Sequence, residues 1–272
     1  MESKRRPLSE CVLMAYFRPA KFGEVPTKRF CELWPEMELE SVEGPEPAVE
    51  QPFSLKRPVP LYRLTSKDDK DSSPFINFGV NSISYNASGD AYRCWEDFRD
   101  EAMGVLEKTN DLFDSDAHLR PLIFKYVDIL EADSFEELAE AFEPIRSDPD
   151  YMAGFEHSSK QVVIDETIAG KPSFISRIYE VFYVEDPEGE VSLKLLIHFN
   201  VQASLARPTS KESVDELRQW LEATHEVHKK LLWDVLIDDY RASIEPALFD
   251  SEEERHFSTM SAGLADLREQ ES

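Results

Sequence analysis

The chain has 272 residues, enough for one large domain or two small ones, and 41% of them are hydrophobic, which supports a sizeable core. Thirty basic residues against 55 acidic ones give a net charge of −25, which repels phosphate. Direct nucleic-acid binding and attachment to anionic membranes are therefore disfavoured, and a basic protein partner suits the charge better.

Lys4-Arg5-Arg6 precedes a short apolar run, Cys11 to Phe17. The run is at the lower limit for a signal core and no small-x-small cleavage site follows, so Leu8 to Phe17 is predicted as a first strand. Three widely spaced cysteines, Cys11, Cys31 and Cys94, build no disulfide framework, and a reducing cytoplasm is expected. No apolar stretch approaches the roughly 20 residues that span a bilayer.

Residues 1–33 read as an N-terminal strand region. Residues 34–60 read as an acidic loop, because Glu36, Glu38, Glu40, Glu43, Glu46 and Glu50 alternate with prolines. An α+β core is assigned to residues 61–247. Its first strands are Leu61 to Ser66 and Phe75 to Tyr85, across a charged turn. A helix is predicted from Asp90 to Phe113, with Tyr92, Trp95, Phe98, Ala102, Val105 and Leu106 at helical spacing.

Leu119 to Leu130 follows as a mostly buried strand. Ser134 to Phe142 is a short helix carrying a capping-box pattern, Ser134 with Glu137. Lys160 to Gln202 reads as three antiparallel strands in meander order. In its last strand Val191, Leu193, Leu195, Ile197, Phe199 and Val201 share one face, and Ser192, Lys194, His198 and Asn200 the other.

The strongest pattern is an amphipathic segment from Ser210 to Ile244, capped by Ser210 or Ser213. Val214, Leu217, Leu221, Thr224, His228, Leu231 and Val235 form a stripe, and Trp220, Val227, Leu232, Leu236 and Ile237 widen it. Residues 248–272 read as an acidic tail. The fold class is α+β: curved antiparallel sheet packed against a long C-terminal helix and a second helix.

Four segments carry a resemblance: RPLSECVLMAYFRP, YRCWEDF, RPLIFKYVDIL and DELRQWLEATHEVHKKLLWDVL. In this order they resemble a sporadically distributed family of uncharacterised prokaryotic proteins. The matching residues are Trp95, Glu96 and Phe98, then Arg120 and Tyr126, then Trp220, Leu221, Glu222 and His225. The chain departs from that pattern at Lys125-Tyr126-Val127-Asp128, where the family tends to carry Arg-Tyr-x-Asn, and in the Pro/Glu insertion after Trp34. The resemblance implies an α+β accessory protein of the cytoplasm, in a defence or toxin–antitoxin setting, and assigns no catalytic residue.

Candidate chemistry is sparse. Glu222, His225 and His228 share one helix face at metal-ligand spacing. The apolar stripe that holds His228 and the missing third and fourth ligands favour a structural or interface role. Nine glycines leave no phosphate loop, and no cofactor is expected. The acid pairs Asp165-Glu166 and Asp238-Asp239 read as solvated surface. Trp220, His225, His228, Phe174, Tyr179 and Tyr183 are the candidate interface residues.

The favoured expectation is a non-enzymatic protein that binds a protein partner, with a homo-oligomer left open. The alternatives are a helix-grip domain holding a small apolar ligand and an acidic DNA mimic.

Overall fold

The computed structural model describes residues 4–5, 8–18, 27–42, 62–69, 72–79, 82–112, 118–148, 157–185, 191–245, 249 and 252–258. Eleven strands run in chain order: β1 Lys4–Arg5, β2 Leu8–Arg18, β3 Met37–Ser41, β4 Tyr62–Ser66, β5 Phe75–Phe78, β6 Ser82–Ser88, β7 His118–Ala132, β8 His157–Ile168, β9 Lys171–Glu185, β10 Val191–Leu205 and β11 Ile244–Glu245. The helices are α1 Thr27–Leu33, α2 Trp95–Lys108, α3 Phe135–Ala141, α4 Glu143–Ser147, α5 Lys211–Val235, α6 Asp238–Ser243 and α7, residues 252–258. The expected α+β class is observed.

Nine strands form one antiparallel sheet in the order β3-β4-β5-β6-β2-β7-β10-β9-β8. β1 and β11 make a separate two-stranded parallel pair. The expected meander is β8-β9-β10. Its first turn has Ala169 at φ 48° and Gly170 at φ 75°, between the paired residues Ile168 and Lys171. Two consecutive positive φ values give the turn the twist that a tight hairpin needs.

Alternation decides which face each residue joins. On β10, Leu193, Leu195, Ile197, Phe199 and Val201 are buried as expected. Their cross-strand partners on β7 are Ala132, Leu130, Asp128, Tyr126 and Phe124. This face receives the helices. Leu217, Trp220, Leu221, Leu231 and Leu232 of α5 are buried in the same core as Trp95, Phe98, Ala102 and Met103 of α2. Pro121 has no N–H for either neighbour, and the pairing of β7 shifts register beside it on both sides, at Ala203/Leu205 and at Ala15/Phe17.

Several boundaries differ from expectation. The acidic loop does not begin at Trp34: Met37–Ser41 is an edge strand whose Met37 and Leu39 pack against the core. The rest of that segment, residues 43–60, lies outside the described residues. The N-terminal region also holds a helix, α1, whose Phe30 is buried on Phe78 at 4.0 Å between ring centres. The strand expected over Phe75 to Tyr85 is two strands. The Gly79 N–H donates to Ser82 O at 2.8 Å, which closes the reversal between them.

The helix expected from Asp90 begins at Trp95, with Cys94, extended at φ −156°, as its N-cap. The helix expected to run to Ile244 stops at Val235. Leu236 bridges Phe142, and the Ile237 N–H donates to Ala141 O at 3.0 Å. These contacts draw the backbone out of the helix, and Asp238-Asp239 then starts α6 at its positive end. Part of the expected tail is structured: Phe249, and Phe257 on α7, are buried against Trp233.

Both predicted caps form. Ser134 accepts from the Glu137 N–H, and Glu137 reaches back to the Asp133 N–H, one residue before the cap. Ser210 accepts from the Ser213 N–H while Ser213 Oγ accepts from the Ser210 N–H. Among the described residues no helix is long and apolar enough to cross a membrane.

Trp220 is the largest fully buried side chain, and its indole N–H donates to Ser173 Oγ at 3.2 Å. Trp220→Ala is expected to destabilise the chain by about 3–5 kcal/mol, read by chemical denaturation. A loss below about 1 kcal/mol would place α5 off the sheet.

Candidate functional site

Two places on the fold concentrate polar groups: the buried seam between α5 and β7, and a cleft on the opposite face of the sheet. At the seam, β7 turns Tyr126 and Asp128 toward α5, because they alternate with Lys125 and Val127. His225 and His228 lie one helical turn apart on α5 and meet them.

The Tyr126 hydroxyl is 2.5 Å from His225 Nδ1. Burial pushes the Tyr126 hydroxyl well above its ordinary pKa, so it keeps its proton and donates. Burial, helped by the neighbouring His228 and Lys229, holds His225 well below the usual imidazole value. The ring is therefore neutral and carries its proton on Nε2. It stacks on Trp95 at 4.2 Å, nearly parallel.

His228 Nε2 is 2.8 Å from Asp128 Oδ2, and a carboxylate only accepts, so the imidazole donates. Tyr126 stacks nearly parallel on His228, at 3.7 Å between ring centres. Asp128 Oδ1, His228 Nδ1 and Thr224 Oγ1 are buried with no hydrogen-bond partner among the described residues. Cys11 of β2 lies directly across from Tyr126, and burial raises its thiol pKa, so it is unreactive.

Glu222, the third candidate metal ligand, faces elsewhere. It accepts from Trp95 Nε1 at 2.8 Å and from Arg99, which ties α2 to α5. The three candidates thus hydrogen-bond to different groups: Glu222 to Trp95 and Arg99, His225 to Tyr126, and His228 to Asp128. Among the described residues no group of three or more His, Cys, Asp or Glu side chains is placed to hold a metal ion. An Asp–His pair can move a proton, but Asp128 and His228 are 0% and 4% exposed, so a substrate cannot reach them.

The proposed interface set requires correction. Trp220, Tyr179, His225 and His228 are buried inside the chain and cannot be presented to a partner. Tyr179 packs edge-on against Phe142. Phe174 and Tyr183 are exposed, at 39% and 54%. They are nine residues apart on β9, so they point to opposite faces and lie about 30 Å from each other. They do not form one surface.

The second place is on the face away from the helices. Cross-strand pairing aligns Asp165, Phe174, Gln202 and Ile123 in one row over four strands. Around the first three lies an open cleft of about 550 Å³, with Pro121, Pro172 and Ser204 also in its wall. An aromatic face, two prolines and a carboxylate together suit an alkyl stem ending in a cation. Elsewhere this face is closed by cross-strand pairs: Lys125 with Glu10 at 2.9 Å, Lys194 with Glu131 at 2.6 Å, and His198 with Glu180 at 3.1 Å. From sequence alone Asp165 is expected as solvated surface; the row that joins it to Phe174 and Gln202 depends on register, which periodicity alone does not fix.

No family model and no curated protein matches the sequence.

Two outcomes are expected at the seam. Asp128→Ala leaves His228 unpaired in the interior and costs about 3–5 kcal/mol, whereas Asp128→Leu combined with His228→Phe recovers most of that loss. Denaturation of the three proteins checks this. The second outcome concerns pH. Below 6.5 the unfolded chain binds a proton at position 225 that the folded chain refuses, so stability is full above 6.5 and falls as pH drops. The slope from this residue is at most about 1.4 kcal/mol per pH unit, and His225→Gln flattens it.

Proposed function

We propose that the protein is a non-enzymatic binding protein of a prokaryotic defence or toxin–antitoxin-like system, acting in the cytoplasm through a protein partner. The observation that carries this reading is the cleft at Phe174. Its carboxylate, aromatic ring and prolines match a lysine or arginine side chain, and the net charge of −25 draws a basic partner toward it. The stem of such a side chain lies along Pro121 and Pro172, and its head meets Asp165 and the ring face. The setting follows from the resemblance carried by Trp95, Tyr126, Trp220 and His225.

The histidines add weight by subtraction, because both are spent on seating α5. The alternatives gain nothing comparable. The space between α5 and the sheet holds Trp220, Phe124, Tyr126 and Phe199, where an apolar ligand would have to lie. Phosphate mimicry needs an unbroken carboxylate array, whereas Lys125 and Lys194 interrupt the acids of the open face.

Affinity capture from the native host tests the reading, using the wild type and a Phe174→Ala, Asp165→Asn double variant. Both side chains are on the surface, so the variant keeps the wild-type melting temperature. The expected outcome is one basic protein recovered in stoichiometric yield with the wild type, and about tenfold less or lower with the variant. Equal recovery with both baits, or no specific protein with either, contradicts it.

A further inference from the structure

The two edges of the sheet are unequal. β3 has five residues, while β8 has 12 and pairs only with β9 among the described residues. A long free edge invites another strand unless it is guarded. Val163 near its centre is 48% exposed. We propose that β8 is the two-fold interface of a homodimer, in which the edges of two copies pair antiparallel and the sheets join into one of 18 strands.

Symmetry limits the register. An antiparallel pair about a two-fold axis normal to the sheet sets residues of the same face opposite each other. The numbers of paired residues must therefore add to an even total. Centring on Val163 sets Val163 against its own copy, Val162 against Ile164, and Gln161 against Asp165. It also sets position 160, a lysine in the sequence, against Glu166. Each unlike pair occurs twice, so apolar residues meet apolar ones and each cation meets an anion.

The neighbouring registers do not do this. Centring on Val162 sets position 160 against Ile164 and leaves Glu166 against Ser158. Centring on Ile164 sets Val163 against Asp165 and Val162 against Glu166. Of the three, only the Val163 register sets Val162, Val163 and Ile164 against apolar residues alone and Glu166 against position 160. It also brings Gln161 of the second copy beside Asp165, so the copy extends the wall of the Phe174 cleft. The dimer does not depend on the partner proposed above: it is read by mass, with a substitution outside the cleft.

Sedimentation or light scattering of the full chain tests the dimer. The expected mass is twice the 31.3 kDa of one chain. Val163→Lys sets like charges on the axis and is expected to give a folded monomer. Lys160→Glu is expected to weaken the dimer about tenfold, and adding Glu166→Lys to restore it. In a Cys31→Ser background, Val163→Cys is expected to form an intermolecular disulfide under mild oxidation, while Val191→Cys, at a more exposed position, is not. A wild type that is monomeric at every concentration, a dimer that Val163→Lys leaves intact, or cross-linking no better at 163 than at 191 overturns the proposal.

Discussion

The seating of α5 on β7 is the constraint around which the rest of the fold is arranged. A 25-residue helix, about 37 Å long, lies on the sheet and buries Leu217, Trp220, Leu221, Leu231 and Leu232. Apolar burial of that kind is strong but non-directional. It fixes neither the rotation of the helix nor its position along its axis. The pairs Tyr126–His225 and Asp128–His228 supply the missing direction, since each joins one helix position to one strand position. Glu222 then fixes α2 to the same helix through Trp95 and Arg99. A shift of one helical turn would break all of these at once.

That arrangement separates the two faces of the molecule by role. The helix face takes the large aromatics and the two histidines and closes over them. The opposite face keeps its polar side chains in cross-strand pairs and opens at Phe174 and Asp165. Buried polar pairs in an apolar seam cost desolvation and are weak contributors to net stability. Their value here is positional.

Much of this was legible in the sequence, for a physical reason. Period-two alternation in Val191 to Val201 and the period-3.6 stripe from Leu217 to Val235 each point a whole element the right way. Ser134 and Ser210 announce their helices through local chemistry. What failed depended on tertiary contact. Leu236 and Ile237 continue a helical pattern, yet the backbone leaves the helix to bond Ala141. Met37-Glu38-Leu39-Glu40 alternates like a strand, but the surrounding prolines and acids obscured it. The residues that carry the resemblance, Trp95, Tyr126, Glu222 and His225, come from three distant segments and meet at one seam. Spacing along one helix points to a metal grip for Glu222, His225 and His228; the tertiary contacts instead bond the histidines to Tyr126 and Asp128 of β7 and Glu222 to Trp95 and Arg99 of α2. The exposed aromatics of β9 divide between two faces because the register decides it, and register is a property of the sheet.

Native-state hydrogen exchange on the amides of α5 tests the central claim most directly. If the helix is locked to the sheet through its buried pairs, the amides from Leu217 to Leu232 exchange only with global unfolding, alongside those of β7 and β10. Exchange of that stretch through a separate, lower-energy opening, while β7 and β10 stay protected, would contradict the account.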